Sequence, residues 1–362
     1  MRYLTAFGLA TILATPVHAS PIIDQFTSFW VLGDSLSDNG NTATMVSRLA
    51  AQQVPPIPLP GGSSLQQPGV SSDGFTWARE FTDAFAAAGK ATANLSFGAA
   101  RAGGNGSGPP DLDAQVAAGD SFTTSFELNE FLTLSGTTPK YPDGQGGLLD
   151  RQSDWGSTPL VTVFVGGNDF LDAAEAISNG ADPTVTLPQV AQATFGAVQA
   201  NIKALVGAGI NDLVVMNVPD FSVIPLFNDD TTGLGTALSD TVVNYNSALG
   251  LYLYGLRATG VNVTSVDIYG ALTDADRLAP LGLRDTQNAC VLTPGVADCS
   301  GFLYFDNIHP TQNGHGLIAD LTREGLVQTY DIQPVPLPAP ALMLVTALGA
   351  TMALRRRREK AA

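Results

Sequence analysis

The sequence predicts an α/β protein: a parallel sheet covered by helices on both faces. Three observations carry this. Five short apolar segments, 28–32, 94–97, 160–165, 212–217 and 261–268, are rich in β-branched and aromatic residues, as strands buried on both faces are. Longer stretches with helical character, clearest at 75–88, 190–208 and 236–259, lie between them. The two kinds alternate, which is the order expected of parallel strands joined by crossover helices.

The elements can be taken in chain order. Arg2 followed by an apolar centre at 4–14 and by Val17-His18-Ala19 has the form of a secretory signal, so residues 1–19 are expected to be removed and the mature chain to begin at Ser20. Phe29-Trp30-Val31-Leu32 reads as the first buried strand, and it ends at Gly33 in a tight polar turn. In the helix expected at 236–259, Leu238, Val242, Tyr245, Leu249, Tyr252 and Leu256 recur at steps of three and four and make one apolar face. Gly209 and Gly260 each follow a helix, where a left-handed cap is expected. The Pro- and Gly-rich segments 54–68 and 102–110 read as surface loops that leave the sheet on the side of the strands' carboxyl ends. Pro334-Val335-Pro336-Leu337-Pro338-Ala339, an apolar run at 341–354 and four arginines at 355–358 form a second targeting signal with a transmembrane helix and a basic tail held in the cytoplasm. Between the two signals no linker divides the chain, so residues 20–333 are expected to form one domain and 334–362 a C-terminal signal.

Composition narrows the function. The 362 residues are 44% hydrophobic and only 14% charged, with a formal net charge of −16. Such a surface repels phosphate backbones, so no nucleic-acid partner is expected. The two cysteines, Cys290 and Cys299, lie close together in the exported part, where an oxidising compartment favours one disulfide. The chain has no Walker A loop, no His-Glu-x-x-His helix, and no Gly-x-Ser-x-Gly elbow, since Gly106-Ser107-Gly108 is preceded by Asn105. Neither cofactor nor metal is expected.

In a parallel sheet, sites form beyond the carboxyl ends of the strands. Ser35 follows the first strand, Gly98 the second, and Gly166-Gly167-Asn168-Asp169 the third. A serine hydroxyl needs a base to become a nucleophile. Of three histidines, His18 leaves with the signal and His315 reads as a packing or surface residue. His309 remains, with Asp306 three residues before it and Pro310 after it, a proline expected in the first turn of a helix. Asp306 can orient the imidazole so that its other nitrogen faces Ser35. The Ser35 N–H, a backbone N–H at Gly98-Ala99 and the Asn168 amide could meet a developing oxyanion.

These blocks resemble the GDSL, or SGNH, hydrolases. Gly33-Asp34-Ser35-Leu36-Ser37-Asp38-Asn39-Gly40-Asn41 matches the first block, Gly166-Gly167-Asn168-Asp169 the third, and Asp306-Asn307-Ile308-His309-Pro310-Thr311 the last. Ser72-Asp73-Gly74-Phe75-Thr76-Trp77 resembles the segment that precedes the first long helix. The likeness runs over about 27–328. It implies a flavodoxin-like three-layer α/β/α sandwich and hydrolysis of carboxylic esters. Ser35 would be the nucleophile, His309 the base and then acid, and Asp306 its orienting partner. One block departs: where the family often has Asn-x-Ala-x-Gly-Gly-Ala, this chain has Asn94-Leu95-Ser96-Phe97-Gly98-Ala99-Ala100, so the oxyanion donor is either Gly98 or Ala99. The C-terminal pattern resembles the VPLPA variant of PEP-CTERM sorting signals, which implies an exosortase-type protease and the secretion machinery as partners. The expected substrate is a lipid, phospholipid or other acyl ester. A polysaccharide acetyl esterase and a non-catalytic surface-displayed binding protein are the alternatives.

Overall fold

The computed structural model describes residues 21–44, 63–103 and 155–332. The two terminal signals, including the expected transmembrane helix at 341–354, lie outside the described residues, as do most of the loop segments 54–68 and 102–110. Among the described residues no helix is long and apolar enough to cross a membrane.

Five strands form the sheet: β1 (Ser28–Gly33), β2 (Ala91–Asn94), β3 (Pro159–Phe164), β4 (Asp212–Met216) and β5 (Asn262–Val266). Their order is β2-β1-β3-β4-β5 and every pairing is parallel. This is a doubly wound order whose switch point lies between β1 and β3. Every residue of β1, β3 and β4 is buried, as the unbroken apolar runs require. Helices α1 (Pro21–Asp24), α2 (Trp77–Ala87) and α8 (Gln312–Thr329) pack together on one face. Helices α3 (Gly167–Ser178), α4 (Pro183–Gly207) and α5 (Leu234–Arg257) pack together on the other. The short helices α6 (Ile268–Ala271) and α7 (Ala275–Leu278) follow β5. The three-layer α/β sandwich is therefore the fold. A separate pair of parallel strands, β6 (Asp285–Ala289) and β7 (Phe302–Tyr304), stands beside it.

Gly209 and Gly260 take left-handed φ values of 93° and 92° as expected of helix caps. Three expectations need correction. The second strand begins earlier, at Ala91, and ends at Asn94; residues 95–97 only prolong the pairing, through Leu95 N–H to the Val31 carbonyl and Phe97 N–H to the Gly33 carbonyl. Helix α4 starts seven residues before the expected position 190, because Asp182 caps it by accepting from the Thr184 N–H and Pro183 takes the first turn; Pro188 is carried inside. Pro310 is not in the first turn of α8. Thr311 is the cap, accepting from the Gly314 N–H, and this leaves Pro310 outside the helix in a bridge to Tyr304. The strands β6 and β7 were not expected, since Asp285–Ala289 is polar and Phe302–Tyr304 has only three residues.

Candidate active site

The site forms at the carboxyl ends of β1, β2 and β3. Gly33 closes β1 where the neighbouring strand comes so near that a Cβ would stand 2.7 Å from the Phe164 carbonyl oxygen. The chain then turns. Ser37 and Asp38 donate their N–H groups to the Asp34 carbonyl, and the Asp34 carboxylate accepts from the Leu36 N–H at 3.0 Å. Ser35 stands half-buried on this turn. Asp38 accepts from the N–H groups of Gly40, Asn41 and Thr42, which open the next helical turn. Asn41 donates to the carbonyls of Asn94 and Ser96, both at 2.8 Å, and so ties this turn to the end of β2.

The loop after β7 brings in the histidine from the far end of the chain. Phe305 N–H bonds to the His309 carbonyl at 2.8 Å, and Asp306 Oδ1 accepts from the N–H groups of Ile308 and His309. His309 Nδ1 lies 2.8 Å from Asp306 Oδ2, and His309 Nε2 lies 2.8 Å from Ser35 Oγ across 274 residues of sequence. Burial alone would raise the Asp306 carboxyl, but the His309 imidazole and the loop's N–H donors outweigh it and hold the group below the usual carboxylate range. An ionised Asp306 keeps the proton on Nδ1 and leaves Nε2 free to accept from a hydroxyl. His315 is buried in α8, and burial, helped by His309, lowers its pKa to about 3, so it is neutral.

Asn168 sits in the first turn of α3, after Gly166, whose φ of 119° only glycine readily adopts. Its amide donates to the Ala100 carbonyl at 3.0 Å. The two candidates of the second block differ. Gly98 N–H is taken, by Thr42 Oγ1 at 2.6 Å and Asp38 Oδ2 at 3.1 Å. Ala99 N–H has no partner among the described residues, and Ala99 is exposed with φ at +63°.

Two acidic residues of the motifs, to which sequence reasoning gave no role, lie behind this edge. Burial raises Asp34 to about 7, opposed by the Leu36 N–H and by His309 and reinforced by Asp169. Burial likewise raises Asp169 to about 6, although it accepts from the Ala102 N–H. Their place inside the blocks was the only signal. Cys290 and Cys299 form a disulfide and, with Phe302 and Phe305, make a small core of their own beside the His309 loop. Among the described residues no group of three or more His, Cys, Asp or Glu side chains could hold a metal ion.

A small cleft opens beside the site, lined by Ser35 and Asn168 together with Leu171, Phe221, Ile268 and Ile318. Its lining beyond the mouth is nearly all apolar.

The sequence profile of GDSL-like lipase/acylhydrolase proteins matches residues 30–322. The chain belongs to that family. It is a hydrolase of carboxylic esters. Solved structures similar to this GDSL-family chain include a protein designated a GDSL-like lipase from Parabacteroides merdae, at 12% identity and TM-score 0.40, covering 83% of this chain and 94% of that one. A protein designated an acylhydrolase from Bacteroides fragilis matches at 13% identity and TM-score 0.36, over 84% of this chain and 88% of its own. A gut microbial diltiazem-metabolizing enzyme also matches, at 13% identity and TM-score 0.36, over 83% of this chain and 47% of its own. No curated protein matches the chain.

Proposed function

We propose that the chain is an exported serine esterase that cleaves acyl esters through Ser35, His309 and Asp306 by way of an acyl-enzyme. The observation that carries this reading is the unbroken line from Asp306 Oδ2 through His309 to Ser35 Oγ, with both hydrogen bonds at 2.8 Å. His309 Nε2 takes the serine proton as Oγ attacks the ester carbonyl, and Asp306 stabilises the imidazolium that forms. The same nitrogen returns the proton to the leaving alcohol. Water then repeats the sequence on the acyl-enzyme.

The developing oxyanion is met by the N–H groups of Ser35 and Ala99 and the amide of Asn168. Ala99 is preferred over Gly98 because the Gly98 N–H is already held by Thr42 and Asp38. The apolar lining of the cleft favours an alkyl acyl chain, as in a lipid or phospholipid, over an acetyl group.

Export is supported by the signal-like residues 1–19 and by the disulfide, which persists in oxidising compartments. We assign residues 20–333 to the hydrolase domain and 334–362 to a sorting signal that holds the protein at the membrane until an exosortase-type protease cuts it.

The decisive experiment is Ser35→Ala. It should lower kcat for p-nitrophenyl octanoate by about 10⁴–10⁶-fold with an unchanged circular dichroism spectrum. A purified variant with full turnover would overturn the assignment of the nucleophile.

A further inference from the structure

The segment Ser72-Asp73-Gly74-Phe75-Thr76-Trp77, which leads into α2, is hydrogen-bonded to both of the loops that carry the reacting pair. At one end it holds the histidine loop. Ser72 is fully buried, and its hydroxyl donates to the carbonyl of Pro310, the residue after His309, at 2.9 Å. Asp73 Oδ1 accepts from the N–H of Gln312, the first residue of α8, at 2.8 Å. At the other end it holds the serine turn. Thr76 Oγ1 donates to the Ser37 carbonyl at 3.0 Å, and the Thr76 N–H donates to Asn39 Oδ1 at 2.8 Å. The Trp77 indole N–H donates to Ser37 Oγ at 3.1 Å. Ser37, Asn39, Thr76 and Trp77 are all buried, so these bonds are shielded from water.

Thr76 shows what this arrangement gives up. It occupies the cap of α2, where a threonine hydroxyl ordinarily accepts from an N–H of the first turn. Here it makes no cap bond and is spent on the Ser37 carbonyl. A hydroxyl serving α2 alone would stay at the cap. Ser35 and His309 are 274 residues apart, and serine chemistry breaks and remakes their hydrogen bond in every turnover. That bond cannot by itself fix the separation of the two side chains. The chain from Ser72 to Thr76 can, because it reaches from the residue after His309 to the turn just past Ser35.

We propose that residues 72–77 form a strap that sets the distance between Ser35 Oγ and His309 Nε2. Ser72 and Thr76 are its positioning residues: they act through Pro310 and Ser37, not on the ester. The inference rests on the serine-esterase reading and adds to it residues outside the triad and the oxyanion hole. Reaction geometry is unforgiving, since a shift of about 1 Å caused far from the chemistry can cost about 100-fold in rate. The loss should fall on kcat rather than on KM, because none of residues 72–77 lines the cleft beside Ser35.

The test measures turnover of p-nitrophenyl octanoate, with melting temperatures, in Ser72→Ala, Thr76→Val and Thr76→Ser. Ser72→Ala and Thr76→Val should each lower kcat by about 10–100-fold, with KM within about twofold of wild type. Thr76→Ser keeps the hydroxyl and should stay within about twofold of wild type in kcat. Phe85→Leu is the control for stability: Phe85 is fully buried against Phe26 and Phe29 further along α2, so the change should lower the melting temperature and leave kcat unchanged. Asp73 is only half-buried, and Asp73→Ala, with an expected kcat loss of at least about threefold, replaces Ser72→Ala if that variant does not fold. The proposal is overturned if the strap variants keep wild-type kcat, or if Thr76→Ser loses as much as Thr76→Val. It is equally overturned if Phe85→Leu loses kcat in step with them, since the loss then follows stability. Full turnover by Ser35→Ala instead removes the serine-esterase reading itself.

Discussion

Ala99 is, with Asp331, one of two described non-glycine residues with a positive φ. It stands at the exposed turn after β2 with φ at +63°, a region an L-residue enters at a cost of about 1–2 kcal/mol. Ala99→Gly should remove that strain, offset in part by the freer unfolded chain, and raise stability by about 0.5–1 kcal/mol in urea titration. Because the N–H stays in place, turnover should survive the change. Asp34 makes a second prediction at this scale. Its folded pKa of about 7 lies above the unfolded value, so the native state binds the extra proton between the two. Its contribution to stability is then fully present below about pH 4 and is lost as pH rises through 7. Asp34→Asn removes that dependence and keeps an acceptor for the Leu36 N–H. Its stability relative to wild type should grow by roughly 2–3 kcal/mol between pH 5 and pH 8, measured by denaturant titration at both. A constant difference would show that Asp34 does not gain a proton on folding.

Among the elements, the pair β6–β7 does the least for the sheet and the most for the histidine loop. The Cys290–Cys299 bridge, Phe302 and Phe305 form its core, and Val291 N–H bonds to the carbonyl of Phe305, the residue just before Asp306. Leu226 N–H holds the Asn307 carbonyl from the other side at 2.9 Å. The loop is thus pinned at both flanks, facing Ser35 on the turn after β1. Replacing both cysteines by serine should destabilise the protein by roughly 2–3 kcal/mol, the value for so short a closed loop. If the bridge also positions His309, kcat should fall with KM little changed. Reduction of the wild type with dithiothreitol should reproduce both effects in steady-state assays.

For the whole molecule, the parallel order β2-β1-β3-β4-β5 gathers the ends of β1, β2 and β3 at one edge, and the loop between β7 and α8 brings His309 back there. The family match over 30–322 covers this body and leaves both ends of the chain outside it. A chain of residues 20–333 is accordingly expected to be soluble and to retain esterase activity, and protein recovered from the growth medium should begin at Ser20 by intact mass. Insolubility of the shortened chain would make the C-terminal segment part of the fold.

The strand–helix alternation and the three motif blocks were legible because they depend on local properties: apolar runs, turn residues and a few chemically distinctive side chains. They were enough to single out Ser35, Asp306, His309 and Asn168 and the edge at which they would meet. The strands β6 and β7 were not legible, because a polar segment and a three-residue segment pair only when a disulfide and two phenylalanines hold them together. Nor could local pattern decide between Gly98 and Ala99. The proposed assignment to Ala99 rests on Asp38 and Thr42, more than fifty residues away, which occupy the Gly98 N–H, while the Ala99 N–H has no partner among the described residues. Residue chemistry and periodicity are properties of the chain, whereas hydrogen-bond occupancy and burial are properties of space, and only folding brings the distant partners together.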